Sequence, residues 1–180
     1  LHNATADMSE RLERTQQSIE SSRDRPTGEI RVTTTVSFGS TWLVRHMRDF
    51  LEQYPDIRIE LMLSDDDVDL SRREADVAIR FHPPHQSDLI QKQMAPVRYR
   101  ICAAPSYLER YGTPKTVEEL DQHRLVTYGP MAPAPIRSVN WILDVGHSGA
   151  PRVPVLTVNN IFGLLQAVEA GVGLAALPNY

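Results

Sequence analysis

The sequence predicts an α/β fold with parallel strands, and three observations carry that prediction. Residues 28–80 read as strand, helix, strand, helix, strand, with polar turns at the strand ends. A second strand, helix, strand unit follows in VPVLTVNN, IFGLLQAVEAG and VGLAALPNY. No apolar run approaches the roughly 20 residues of a membrane helix. Parallel strands joined by helices set their carboxyl ends side by side, and small molecules bind in the crevice outside those ends. Thr35, Ser37 and Ser64 fall there.

The elements follow in order. Residues 4–25 contain no Gly or Pro, and Met8, Leu12, Thr15 and Ile19 mark a thin stripe at helical spacing, suited to pairing with another helix. Pro26, Thr27 and Gly28 break that pattern and open the globular part. IRVTTTV is rich in β-branched residues and reads as a strand; SFGS interrupts it before the helical series Leu43, Met47, Phe50, Leu51 and Tyr54. Ser37 or Ser40 is expected to cap this helix, and Pro55 to stop it. IRIELML is the second strand, DDDVDLSRREA a short helix with acidic residues in its first turn, and DVAIR the third strand.

FHPPHQSD then reads as a connector to another lobe, and LIQKQMAPVRYRICAA as two further extended stretches. SYLERYG is a short helix that Gly112 terminates, while Thr116 with Glu119 three places on carries a capping signature. Within the Pro-, Gly- and Ser-rich residues 129–152, WILDV is expected to form one strand. Ile161, Leu164, Leu165 and Val168 share one face of the last helix, which Asn159 or Asn160 caps and Gly171 closes. Both lobes thus present a helix amino terminus after a strand, and a polar ligand between them would meet free amides from each.

Composition bounds the chemistry. With 180 residues, 41% hydrophobic, 23% charged and a net charge of −4, the chain is expected to be globular, as one domain or two small lobes. The acidic balance argues against this piece itself holding duplex nucleic acid, which rewards clustered cations. Cys102 stands alone, so no internal disulfide or thiolate cluster can form, and its place in VRYRICAAP suits a small buried hydrophobe. No secretory signal opens the chain, so a cytoplasmic setting is expected. Leu1 is not an initiator methionine and Tyr180 follows a strand, as expected of a piece of a longer protein.

No motif announces catalysis. GxSxG, GxxxxGK, GxGxxG and HExxH are all absent, and GVGL at 171–174 lies between helix and strand, the reverse of a dinucleotide turn. His82 and His85 beside Asp88 suit a prolyl hinge better than a metal site. Asp65, Asp66, Asp67 and Asp69 lack the turn glycine of a hard-cation loop and read as a charged helix start. His46, His123 and His147 show no triad pattern. Neither metal nor cofactor is expected, and the chain is expected not to be an enzyme.

These residues resemble the effector-binding part of a LysR-type transcriptional regulator. The resemblance covers most of residues 4–180 and rests on GEIRVTTTVSFG, FLEQYPDIRIEL, VDLSRREADVAIRF, APVRYRICAAPSYLERYGTPKTVEELDQHRLV and NNIFGLLQAVEAGVGLAALP, in that order and spacing. It implies a two-lobed fold of the type II periplasmic-binding-protein kind with its carboxy-terminal return segment missing: residues 1–27 as the end of a linker and dimerisation helix, 28–98 as the first lobe, and 99–180 as the second lobe with the start of the return. It implies a small-molecule effector in the cleft and assembly as a homodimer or homotetramer. DNA would be bound by an amino-terminal winged helix-turn-helix outside this piece, and no membrane is involved. Family ligand positions fall on Thr35, Ser37, Phe38, Ser64, Phe81 with His82, Thr127, Tyr128, Asn160 and Phe162; Arg80 reads as structural. The alternative on the same scaffold is a transporter's solute-binding protein, and a third an enzyme, for which no residue cluster speaks.

Overall fold

The computed structural model describes residues 25–66, 70, 74–83, 89–129, 139–146 and 149–180. The helix expected over 4–25 and most of DDDVDLSRREA lie outside them.

Strands β1 (Gly28–Thr34), β2 (Ile57–Leu63) and β3 (Val77–Ile79) form an all-parallel sheet in the order β2-β1-β3. The register runs from Gly28↔Ile57 to Thr34↔Leu63 and from Val32↔Val77 to Thr34↔Ile79, so all three carboxyl ends lie together. The central position of β1 explains its threonines. Thr33 and Thr34 are fully buried, a costly place for a hydroxyl without a partner. Thr34 Oγ1 donates to the Ile79 carbonyl at 3.1 Å, and Thr33 Oγ1 accepts from Arg80 Nη2 at 3.0 Å.

The crossover from β1 to β2 is one helical run, α1, made of Val36–Phe38, a π-helical stretch Gly39–Leu43, and Val44–Gln53. Neither Ser37 nor Ser40 caps it, contrary to expectation. The helix starts directly after Thr35, whose backbone is extended, so Ser37 already lies in the first turn and Ser40 in the π stretch. The capping group comes from the turn after the neighbouring strand β2: the Val36 amide donates to Asp65 Oδ1 at 3.2 Å. A carboxylate suits the positive end of a helix dipole. Gly39 lets the run settle on the strands, because a Cβ there would overlap Leu63 Cδ2 and press on Thr34 Cγ2 at 3.1 Å. Of the predicted apolar stripe Leu43 is buried, Met47, Phe50 and Tyr54 are half-buried, and Leu51 is exposed.

The second lobe combines β4 (Tyr99–Cys102) antiparallel to β7 (Ala175–Pro178) with β5 (Val126–Tyr128) parallel to β6 (Leu156–Val158). A bridge between Leu125 and Leu174 joins the pairs: the Val126 amide donates to the Leu174 carbonyl and the Leu174 amide to the Arg124 carbonyl, each at 2.8 Å. Alternation along β7 then splits the core. Ala175 and Leu177 join Val126, Tyr128, Ile161, Leu164 and Val168 on one face, while Leu174 and Ala176 join Tyr107, Leu120, Leu125 and Ile142 on the other. Cys102 packs against the first cluster as a half-buried apolar group, and burial pushes its thiol up. Beyond β4 and β7 the pairing continues toward the first lobe, where Asn179 N donates to the Arg98 carbonyl at 3.0 Å and Arg98 N to Asn179 Oδ1 at 2.9 Å.

Helices α2 (Pro105–Tyr111) and α3 (Ile161–Glu169) stand where the sequence places them. Gly112 ends α2 with φ 83°, a left-handed conformation that glycine adopts without strain. Ala167 completes the buried face of α3, while Leu165 is only half-buried.

Three local expectations fail. Of the two extended stretches in 89–104, only Tyr99–Cys102 is a strand; residues 90–98 have no strand beside them among the described residues. WILDV is not a strand, since Trp141–Leu143 forms a 3-10 turn. Its place is set from outside: Asn140 Oδ1 accepts from the Tyr128 amide and Asn140 Nδ2 donates to the Tyr128 carbonyl, both at 2.9 Å, while Arg152 Nη1 donates to the carbonyls of Ile142 and Val145. Thr116 does not cap the helix expected in PKTVEELDQH. A 3-10 turn, Glu118–Gln122, begins one residue later behind Val117. There the Glu119 carboxylate accepts from the Lys115 amide at 2.6 Å, and the Thr116 hydroxyl holds the Glu118 carboxyl below its usual range.

Candidate functional site

The carboxyl ends of β1 and β2 face the end of β5 and the start of α3 across a cavity of about 290 Å³. Val36, Leu63, Ser64, Asp65 and Asp66 line it from the first lobe, and Tyr128, Asn159 and Asn160 from the second. A larger cavity of about 370 Å³, between Arg25 and Asp56, lies at the amino ends of the same strands. That is the side opposite the crevice where parallel sheets take ligands.

Backbone bonds build the first-lobe wall. Ser64 N donates to the Thr34 carbonyl at 2.9 Å, and Ser64 Oγ then accepts from the Asp66 amide at 3.1 Å, folding residues 64–66 into a tight turn. Arg80 Nη2 braces the turn from behind through the Asp66 carbonyl at 3.0 Å and Thr33 Oγ1. The guanidinium is thus a strut between β1, β3 and the turn. Asp65 is held above the usual carboxylate range by burial; the Val36 amide and Arg80 oppose that shift and Asp66 adds to it. Across the cavity the Tyr128 hydroxyl is pushed up to about 12 by burial, then by the charges of Asp65 and Asp66.

The second-lobe wall is the amino terminus of α3. Asn160 Oδ1 caps it by accepting from Gly163 N at 2.7 Å, and Asn160 Nδ2 donates to Asn159 Oδ1 at 3.2 Å. Asn160→Ala should cost about 1 kcal/mol of stability, the usual worth of such a cap; the shift of the urea midpoint at unchanged slope checks it. Of the amides expected to be free at the two helix starts, one on each side is already in use. Val36 N is taken by Asp65 and Gly163 N by Asn160, so side chains of this protein already hold an amide at each helix start.

Outside the lining, on the Asp65 side, lies an aromatic cluster. Phe38 meets Phe81 edge-on at 5.6 Å and Tyr180 edge-on at 5.1 Å, and Phe81 stacks on Tyr180 at 5.5 Å. The Tyr180 hydroxyl faces Ser37, Asp65 and Thr35, and burial pushes it up. Thr35 Oγ1 is buried and lacks a hydrogen-bond partner of normal geometry.

The sequence-predicted residues therefore separate into groups. Ser64, Tyr128 and Asn160 line the cavity; Thr35, Ser37, Phe38 and Phe81 lie outside the lining, in or beside the aromatic cluster. Thr127 is buried and precedes Tyr128 in β5, so strand alternation turns it to the other face. Phe162 is half-buried and outside the lining. His82 Nδ1 lies 3.1 Å from the Pro83 carbonyl, also outside the lining. Asp65, Asp66, Asn159 and Tyr180 were not predicted. The available cue for the two acids was their place directly after β2, but they read there as the start of a helix. Among the described residues no group of His, Cys, Asp and Glu is placed to hold a metal, and no helix is long and apolar enough to cross a membrane.

Comparison with known proteins gives a consistent result. A family model described as the LysR substrate binding domain matches residues 23–180. An HTH-type transcriptional regulator of Xanthomonas campestris pv. campestris is 31% identical over 165 residues, which are 91% of this chain and 48% of that protein. The CrgA regulatory domain of Neisseria meningitidis, a LysR-type transcriptional regulator, has a TM-score of 0.72 at 26% identity over 85% of this chain and 74% of that one. Full-length AphB, a Vibrio cholerae virulence activator of the LTTR family, has a TM-score of 0.63 at 28% identity over 96% and 59%. The chain spans about half the length of the curated relatives it matches. The fold is thus the α/β, type II periplasmic-binding-like fold of such regulatory domains. Sequence over residues 23–180 and the course of the backbone agree on one assignment: this chain belongs to the LysR substrate-binding domain family.

Proposed function

We propose that this domain is the effector-sensing and oligomerisation module of a cytoplasmic LysR-type transcriptional regulator, with residues 28–98 and 99–180 as its lobes. The observation that carries the sensing role is the cavity, whose walls come from both lobes. A ligand touching both walls stabilises one arrangement of the lobes over another, and its influence is bounded by its difference in affinity for the two. Ser64, Tyr128 and Asn160 are the proposed direct contacts. Thr35, Ser37, Phe38 and Phe81 support the first wall from outside the lining, with Thr127 and Phe162 supporting the second. No covalent step is involved and no cofactor is needed. In the full-length protein, DNA is contacted by an amino-terminal winged helix-turn-helix, and homodimers or homotetramers present paired reading heads. The relatives quoted above are named as transcriptional regulators, which favours this function over a transport receptor.

Ser64→Trp tests the sensing role, because the indole projects into the cavity. In the native host, with a reporter on the regulator's own promoter, wild type is expected to restore condition-dependent output to a deletion strain. Ser64→Trp, at equal protein level, is expected to give output that no longer varies with conditions. A wild-type response from that variant would remove the cavity from sensing.

A further inference from the structure

We propose that Tyr180 is a latch between the lobes that answers to the cavity, its hydroxyl seated on Ser37 and Thr35 at the start of α1 and its ring held by Phe38 and Phe81. This rests on the cavity being the effector site, and adds the device by which that site is read.

The first observation is a meeting of three segments. The chain leaves the first lobe at Phe81, after β3, and comes back toward it at Tyr180, after β7. The two rings stack at 5.5 Å, and both meet Phe38 of α1, at 5.6 and 5.1 Å. Tyr180 directly follows Asn179, whose bonds to Arg98 join the two connections. Both connections therefore reach α1 through this one cluster.

The second observation is a polar contact inside the apolar cluster. Apolar packing is non-directional, and a phenylalanine would supply it. Tyr180 adds a hydroxyl, for which Ser37, 3% exposed, is the stronger partner and Thr35, 6% exposed, the weaker. A buried hydroxyl costs free energy unless it is bonded, so this contact fixes one position of the ring where packing alone would tolerate several. Burial pushes the Tyr180 hydroxyl up, which keeps it a donor to the two side-chain oxygens.

The third observation joins the latch to the cavity. Val36 lies between the two latch partners and gives its amide to Asp65, a residue of the cavity lining. The stretch Thr35–Val36–Ser37 is thus held by the cavity wall through its middle amide and by Tyr180 through its flanking hydroxyls. A ligand that shifts the Ser64–Asp66 turn moves Val36, and with it the seat of the Tyr180 hydroxyl. Its preference for one position of the turn is then a preference for the latched or the unlatched arrangement, of the same size.

The test uses the full-length protein in the native host, with a reporter on the regulator's own promoter and variants compared at equal protein level. Tyr180→Phe keeps the ring and removes the latch. The ratio of its outputs between responsive and unresponsive conditions is expected to fall about fivefold, as one hydrogen bond lost from one of two arrangements does. Ser37→Ala reaches the latch from the other side and is expected to give the same fall, and the double variant no more than either alone. A part in folding only would lower the urea midpoint and leave both outputs at wild-type values, which overturns the proposal. Falls that add in the double variant overturn it too, because the two hydroxyls would then act separately. Ser64→Trp separates the two layers. A wild-type response from that variant beside a fallen ratio in Tyr180→Phe would keep the latch and discard the cavity as its trigger; an unresponsive Ser64→Trp beside a wild-type Tyr180→Phe would keep the cavity and discard the latch.

Discussion

Arg152→Ala is expected to destabilise the domain by about 3 kcal/mol or more, in the range seen when one partner of a buried charged network is removed. The side chain is 5% exposed and uses its guanidinium on four acceptors: Nε on Asp121 Oδ1, Nη1 on the carbonyls of Ile142 and Val145 at 3.1 and 2.7 Å, and Nη2 on the Val117 carbonyl at 2.9 Å. These tie together the two 3-10 turns that pack with Leu174 and Ala176 in the second lobe. The ion pair is not the main source of the effect, because Asp121 is 47% exposed and stays solvated when its partner goes. The loss comes from the Ile142 and Val145 carbonyls, each worth about 1–3 kcal/mol when buried and unpaired, while the Val117 carbonyl keeps the Leu120 amide. Lysine is expected to recover less than half of it, since a point charge cannot reproduce a planar fork. Urea denaturation of the three proteins checks both statements, and an alanine variant within about 0.5 kcal/mol of wild type, the usual range for surface changes, would contradict them.

Gly173→Ala is expected to cost a similar amount, about 3 kcal/mol, by another route. A Cβ at this position would press into the Arg124 carbonyl oxygen and stand 2.9 Å from its carbon. Both are backbone atoms, so relief requires the strands to part. The parting falls where the Leu174 amide meets the Arg124 carbonyl, the seam that joins the β4–β7 pair to the β5–β6 pair. Overpacking of this kind usually costs about 1–3 kcal/mol, and the upper end applies because backbone, not a rotamer, must yield. Hydrogen exchange should show faster exchange at the Val126 and Leu174 amides; unchanged protection there would locate the strain elsewhere.

The parts of this fold legible in the sequence are those fixed by neighbouring residues. IRVTTTV, the apolar series after it and the asparagine before IFGLLQAVEAG carry their structure locally, through β-branching, periodicity and a side chain that caps its own helix. What could not be read depends on partners far along the chain. Asp65 caps a helix that starts 29 residues earlier, so its role needs the strand register before it can be seen. Arg152 is one charge in an irregular stretch until Val117, Asp121, Ile142 and Val145 converge on it. WILDV has the composition of a strand, and only Asn140 and Arg152 make it a turn. Tyr128 and Thr127 were equal candidates by position, and the pleat of β5 decides which reaches the cavity.

The two crossings between the lobes run side by side, with Tyr99↔Pro178 in register and Arg98 bonded to Asn179 at the end of the ladder. Mechanically they act as one laced strap. Sliding one crossing past the other would break every rung between Arg98 and Cys102, whereas bending both together breaks none. The motion this leaves to the lobes is a hinge across the strap, not a shear. Under the proposed sensing role, occupancy of the cavity is conveyed from lobe to lobe as an angle.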